Sequence, residues 1–167
     1  MGMKTHIEQK TLPYTAQQMF DLVAAVDKYV EFAPWCVASR ITKRESESVF
    51  YADLVVGYKM LRERFTSKVI LVPPQPRKIG EEVMQNADEV PEIGEIYIEY
   101  LRGPLRQLKN RWRFTQNQDG SCTIDFHVEF EFKNNVLQGM AQMFFQEIVK
   151  RMVSAFEARA AVIYQIQ

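Results

Sequence analysis

The chain has 167 residues, a quarter of them charged, and its 21 Lys and Arg are matched by 21 Asp and Glu. That balance leaves no net field to draw in a polyanion, so the electrostatic footprint of a nucleic-acid or ribosome binder is missing. Two cysteines, Cys36 and Cys122, are too few for a disulfide framework or a metal knuckle and fit a reducing compartment, and no apolar run suffices for a signal peptide or a membrane span.

In chain order, residues 3–12 form an opening strand. Pro13-Tyr14-Thr15 turns the chain, and Thr15 is placed to cap a short helix beginning near Ala16, with Met19, Phe20, Leu22, Val23 and Val26 on its apolar face. A second short helical turn runs from Lys28 to Phe32 and stops at Ala33-Pro34-Trp35, because a residue before proline disfavours helix. The aromatic stretch from Tyr29 to Trp35 reads as a loop folded back on the core or as the rim of a ligand cavity. It is also the candidate for transient contact with a membrane surface.

Residues 37–46 read as a polar edge strand. In the strand after it, Phe50, Ala52, Leu54, Val56 and Tyr58 share one face, and Gly57 is a candidate bulge. Following a turn at Lys59-Met60, residues 61–72 make a strand with Phe65, Val69 and Leu71 inward. Residues 73–95 carry Pro73, Pro74, Pro76 and Pro91 among many acidic side chains, the composition of a long surface loop. Ile96, Ile98 and Tyr100 resume a strand. Gly103-Pro104 then turns the chain into residues 105–115, with Leu108, Trp112 and Phe114 inward. Asp119-Gly120 signals a hairpin turn. Residues 121–132 alternate Cys122, Ile124, Phe126, Val128, Phe130 and Phe132 against polar neighbours, so one face is buried and the other solvated.

From Asn135 to about Ile166, Leu137, Ala141, Phe144, Ile148, Met152, Phe156, Ala160 and Ile163 fall on one helical stripe, widened by Val136, Met140, Phe145, Val149 and Val153. Such a helix is about 45 Å long, and Gln142, Glu147, Lys150 and Arg151 make it amphipathic rather than membrane-spanning. A strand, two short helices, about six antiparallel strands and a long helix make an α+β fold, with residues 1–167 read as one domain.

The sequence holds no HExxH, CxxC, P-loop, GxGxxG or Gly-x-Ser-x-Gly element. His6 and His127 lie on different strands, and His127 shares a polar face with Asp125, Glu129 and Glu131, where carboxylates are solvated rather than tuned for acid–base work. Glu63 shares the parity of Phe65, so it is expected inward, either paired structurally with a group such as Arg113 or Tyr58 or in contact with a ligand. No catalytic constellation emerges, and the chain reads as a non-enzyme.

Four stretches in order, residues 12–36 (LPYTAQQMFDLVAAVDKYVEFAPWC), 54–69 (LVVGYKMLRERFTSKV), 103–114 (GPLRQLKNRWRF) and 124–160, resemble the coenzyme Q-binding proteins of the START-like, polyketide cyclase and lipid-transport superfamily. The resemblance implies a helix-grip fold, a curved antiparallel sheet wrapped around the long C-terminal helix with a cavity between them. It implies a bound ubiquinone or other prenyl lipid, no further cofactor and no metal, and a carrier or chaperone role in respiration and quinone synthesis beside quinone-biosynthesis proteins. Location at the inner face of a bacterial respiratory membrane follows, or the matrix side of the mitochondrial inner membrane. Two other functions go with the superfamily, ribosome-association toxins and cyclase- or hydrolase-type enzymes. Residues 73–95 are longer than the family's usual connection.

On this reading the cavity lining is Trp35, Leu54, Val56, Tyr58, Phe65, Tyr100, Trp112, Phe126, Phe130, Met140, Phe144, Met152 and Phe156. Tyr58, Tyr100, Asn110 and Arg113 are the candidate donors to a quinone head.

Overall fold

In the computed structural model, which describes residues 3–58, 61–75, 78–79, 82–83, 91–133 and 140–165, the chain opens with strand β1 (Lys4–Leu12). Helix α1 (Ala16–Ala24) and a 3-10 helix (Val26–Glu31) follow. Strands β2 (Cys36–Arg44), β3 (Val49–Tyr58) and β4 (Leu61–Gln75) come next, then the two-residue strands β5 (Lys78–Ile79) and β6 (Glu82–Val83). Strands β7 (Ile93–Arg102), β8 (Leu105–Gln116) and β9 (Cys122–Phe132) lead to helix α2 (Met140–Ile163).

The seven long strands form one antiparallel sheet in the order β1-β9-β8-β7-β4-β3-β2. It curves around α2, the α+β helix-grip arrangement expected from the sequence. β9 alternates buried and half-buried residues along its whole length, with Cys122 through Phe132 turned to the core. The edge strands are β1 and β2, and their exposed charges, Lys4 on one and Arg40, Lys43 and Arg44 on the other, discourage pairing with another chain.

Thr15 caps α1 through a reciprocal pair: its hydroxyl accepts from the Gln18 amide at 3.0 Å, and the Gln18 side chain accepts from the Thr15 amide at 2.9 Å. The far end of α2 is fastened to the first elements. The Tyr164 hydroxyl donates to the Gln18 carbonyl at 2.8 Å, and Lys10 pairs with Glu157 at 2.7 Å.

Three details differ from the sequence reading. First, the ladder of β4 runs on to Gln75 and β7 begins at Ile93, where a loop from 73 to 95 was expected. The register slips between Val72 and Gln75, which accommodates Pro73 and Pro74 without amide donors. Of the 23 residues from 73 to 95, 11 lie outside the described residues.

Second, Gly57 is not a bulge. β3 and β4 stay in register through Gly57 and Arg62, and the irregularity sits on β2 between Cys36 and Ala38. A Cβ at Gly57 would lie 2.4 Å from the Val37 side chain, so glycine is there for close approach.

Third, α2 ends at Ile163, which is exposed, where the sequence reading runs to about Ile166; 24 residues of it, about 36 Å, are described, and the expected start at Asn135, with Val136 and Leu137, lies outside the described residues. In agreement with one of the two alternatives read from the sequence, the stretch from Tyr29 to Trp35 folds back on the core. Tyr29, Ala33 and Trp35 are buried, because Tyr29 and Phe32 pack edge-on against Phe156 of α2, at 5.1 and 5.4 Å. Val30, Glu31 and Pro34 are what this stretch leaves at the surface.

Candidate ligand-binding site

The register of the central strands lines up short side chains. Val128 of β9 stands opposite Asn110 of β8, which stands opposite Ile98 of β7. On one side runs a row of larger groups, Phe126 opposite Trp112, their rings 4.4 Å apart. On the other, Phe65 and Phe130 converge on Phe145 of α2, at 5.6 and 4.8 Å. The row of short residues is therefore a trough between aromatic walls. Phe145, Ile148, Val149, Met152 and Phe156 of α2 lie over it, and Leu54, Val56 and Ser67 extend its floor. What remains is a chamber of about 110 Å³.

A wider groove of about 640 Å³ lies outside, between Pro34, Gly57 and the face of α2 that carries Met143, Phe144, Glu147, Arg151 and Ala155. Trp35 and Ile148 border both spaces and so mark the neck, the place where the two adjoin. The chamber by itself is smaller than the roughly 300–1,000 Å³ of ligand pockets, and the groove falls within that range.

The chamber is close to wholly apolar, and most of its few polar groups are already engaged. The Tyr29 hydroxyl donates to the Val23 carbonyl, and burial pushes its phenol up, out of reach of ionisation. The Asn110 amide donates to the His127 carbonyl at 3.0 Å. Trp35 differs: its buried Nε1 has no acceptor among the described residues. Such an unpaired donor costs about 1–3 kcal/mol.

Among the residues expected to line the cavity, Trp35, Leu54, Val56, Phe65, Trp112, Phe126, Met152 and Phe156 bound the chamber, as does Asn110. Three are elsewhere. Phe130 is fully buried against Phe132 and Phe145. Phe144 faces the outer groove, and so does Met143, which is 66% exposed. Tyr100 closes the turn between β7 and β8, where its hydroxyl donates to the Leu105 carbonyl at 2.8 Å and accepts from the Leu105 amide at 2.9 Å. The side chains of Tyr58 and Met140 lie outside the described residues.

Arg113 is on the opposite face of the sheet, 3.4 Å from Glu95, so it reaches neither a quinone head nor Glu63. Glu63 stands opposite Val56 on the inner side and bears on Tyr100 instead. Burial, then the Glu63 charge, pushes that phenol up against the lowering effect of the Leu105 hydrogen bond. Because the Tyr100 hydroxyl is spent on the turn, Tyr100→Phe is expected to cost about 1–2 kcal/mol in urea denaturation. It should change ligand affinity less than about twofold; a large affinity loss would return Tyr100 to the site.

Residues the sequence reading left out of the lining are Ser67, Ile98, Leu108, Val128, Phe145, Ile148, Val149 and Tyr29. His127 is on the outer face, 3.1 Å from Glu129, as its parity required. Both thiols are buried, and burial holds Cys122 up at about 12 and raises Cys36, so neither supplies a thiolate near neutrality. Among the described residues, no three His, Cys, Asp or Glu side chains are grouped to hold a metal ion.

An apolar chamber between a curved sheet and a C-terminal helix accords with what sequence comparison finds: residues 12–157 match the family described as polyketide cyclase/dehydrase and lipid transport. The chain belongs to this family.

One relative is the coenzyme Q-binding protein COQ10 homolog B, mitochondrial, of Xenopus laevis, 34% identical over 160 residues. That alignment covers 94% of this chain and 58% of the relative, so the chain spans little more than half of that protein. Another is the ribosome association toxin RatA of Pseudomonas aeruginosa, 32% identical over 163 residues, with 97% of this chain and 99% of the relative covered. Among solved structures, the Zhui aromatase/cyclase from Streptomyces sp. R1128 superposes with a TM-score of 0.68 over 96% of each chain at 15% identity, which shows the shared fold of the lipid-transport family.

Proposed function

We propose that this chain binds ubiquinone or a related prenyl lipid in the chamber and groove and acts as a non-catalytic carrier or chaperone for it, in support of respiratory electron transport and quinone biosynthesis. The observation that carries the reading is an apolar chamber lying next to a larger groove, with Trp35 and Ile148 common to both, an arrangement suited to a ring with a chain attached. The name of the Xenopus relative supports the choice of ligand. Among the described residues the chamber lining holds no carboxylate, imidazole or thiol, and the groove's carboxylate, Glu147, pairs with Arg151 at 3.4 Å, which supports binding over an acid–base reaction of the cyclase type.

Magnitudes favour partial uptake. Burying one isoprene unit contributes roughly 4 kcal/mol at about 0.8 kcal/mol per carbon, against about 4–15 kcal/mol lost on association. Two or three units and the ring then suffice for micromolar binding, about −8 kcal/mol. The rest of a long tail stays in a bilayer during transient contact, at the inner face of a bacterial respiratory membrane or the matrix side of the mitochondrial one. No helix among the described residues is long and apolar enough to cross a membrane.

Organic extraction of the purified protein is expected to release a prenyl quinone, and titration with ubiquinone is expected to saturate in the low micromolar range. A titration that shows no binding of any prenyl quinone sinks the reading. The full-length match to RatA supports a second reading, ribosome association. The pairing of Arg113 with Glu95, Arg106 with Glu131 and Arg40 with Asp53 on the outer face leaves it less of the free cationic surface that role uses. Cosedimentation with ribosomal subunits would raise it.

A further inference from the structure

We infer that the outer face of the sheet holds a second site, a hollow in which Arg111 takes the carboxylate of a ligand whose apolar body lies on Tyr97 and Ile70. The site is independent of the lipid-binding reading, because the chamber is on the other side of the strands.

Strand register builds the hollow. Ile7 of β1, His127 of β9, Arg111 of β8, Tyr97 of β7 and Ile70 of β4 stand side by side in one row across the sheet. All five have outward parity, opposite to that of Ile96, Trp112 and Phe126 in the core. The neighbouring row brings Glu129, Lys109 and Glu99 together. Apart from Ile7, these side chains border a space of about 590 Å³, which lies in the range of ligand pockets. It is back to back with the chamber, and Ile98, Leu108 and Asn110 belong to both.

The state of Arg111 defines the ligand. Three arginines are half-buried, Arg111, Arg113 and Arg159, and in each the Nε is covered and has no hydrogen-bond partner among the described residues. Arg113 has Glu95 at 3.4 Å and Arg159 has Glu31 at 3.5 Å. Arg111 alone of the three has no carboxylate in ion-pair reach among the described residues. The carboxylates diagonal to it on β9 are engaged elsewhere, Glu129 with His127 at 3.1 Å and Asp125 with Gln9 at 2.7 Å. With Nε covered, the terminal guanidinium nitrogens are what Arg111 has to offer the space it lines. A guanidinium matches a carboxylate through two parallel N–H bonds, and partial burial strengthens such a pair. Glu99 and Glu129 border the same space, so it takes one negative charge and repels the second charge of a phosphate dianion. Tyr97, 39% exposed, and Ile70 supply the adjoining apolar surface, and an aromatic body can stack on the Tyr97 ring. The ligand class is therefore an aromatic or similarly apolar monocarboxylate.

The test titrates 2-naphthoate, and 2-naphthamide as its neutral counterpart, into the wild-type chain and into Arg111→Gln, by calorimetry and by backbone ¹H–¹⁵N spectra. 2-Naphthoate should bind the wild-type chain and weaken at least tenfold in Arg111→Gln, about 1.4 kcal/mol. The amide resonances of Tyr97, Arg111 and His127 should move. The wild-type chain should also bind 2-naphthamide at least tenfold more weakly than 2-naphthoate, a comparison that needs no variant to fold. Failure of 2-naphthoate to bind, equal binding by Arg111→Gln, equal binding of the amide, or shifts confined to chamber residues such as Trp112 and Val128 each overturn the site. None of those results bears on ubiquinone binding in the chamber.

Discussion

Phe156→Ala is expected to be the most damaging single truncation in this fold. Phe156 is 1% exposed and joins three parts of the chain, meeting Tyr29 at 5.1 Å, Phe32 at 5.4 Å and Trp112 at 5.3 Å. Removing a buried phenyl ring costs about 3–5 kcal/mol, and the upper end applies where neighbours cannot collapse into the gap. Collapse is restricted here, since the sheet and the Tyr29–Trp35 segment are held by their own hydrogen bonds and the chamber already lies alongside. For a chain of this size the melting temperature should fall by roughly 6–20 °C, at about 2–4 °C per kcal/mol. Circular dichroism melts check it. A fall below about 2 °C would show that this aromatic junction does not anchor α2 to the sheet. Added ubiquinone should recover part of the loss, because a ligand that binds the native state alone stabilises it by mass action.

The second large effect is on binding and should leave the fold intact. Val128→Phe places a ring in the trough formed by Val128, Asn110 and Ile98, where the chamber of about 110 Å³ lies. Overpacking a filled core costs about 1–3 kcal/mol, but here the added carbons enter space that is already open, so the melting temperature should shift by no more than about 3 °C. Ubiquinone affinity should drop at least tenfold, about 1.4 kcal/mol. Val128→Ala is the control that enlarges the chamber. If Val128→Phe binds quinone as the wild type does, the chamber is not where the ligand sits, and the groove between Pro34 and α2 becomes the site.

Parity along single strands was enough to read much of this molecule. The alternation in β9 already separated Phe126 and Val128 from His127 and Glu129. The same rule puts Arg113 on the opposite face from Trp112, so assigning it to a quinone head went against information the sequence held. Phe130 and Tyr100 failed for a different reason. Parity gives the face of a residue but not what lies above it, and one is covered by Phe145 while the other is spent on a turn. On α2, Phe144 and Phe145 both fall within the broad apolar stripe, and the docking of the helix decides which meets the chamber and which the groove.

The amino-acid sequence by itself determined the elements, the inward and outward faces, the capping of α1 and the family resemblance, because each depends on residues near one another in the chain. Three things were decided by the tertiary structure: the trough, the way the chamber and the groove adjoin, and the Trp35 indole N–H left without an acceptor among the described residues. A trough needs the mutual register of β7, β8 and β9, and a void is the small difference between large packed volumes contributed by distant segments. Whether a buried indole N–H meets a carbonyl likewise depends on where β3 and α2 bring their groups beside the Pro34–Trp35 turn.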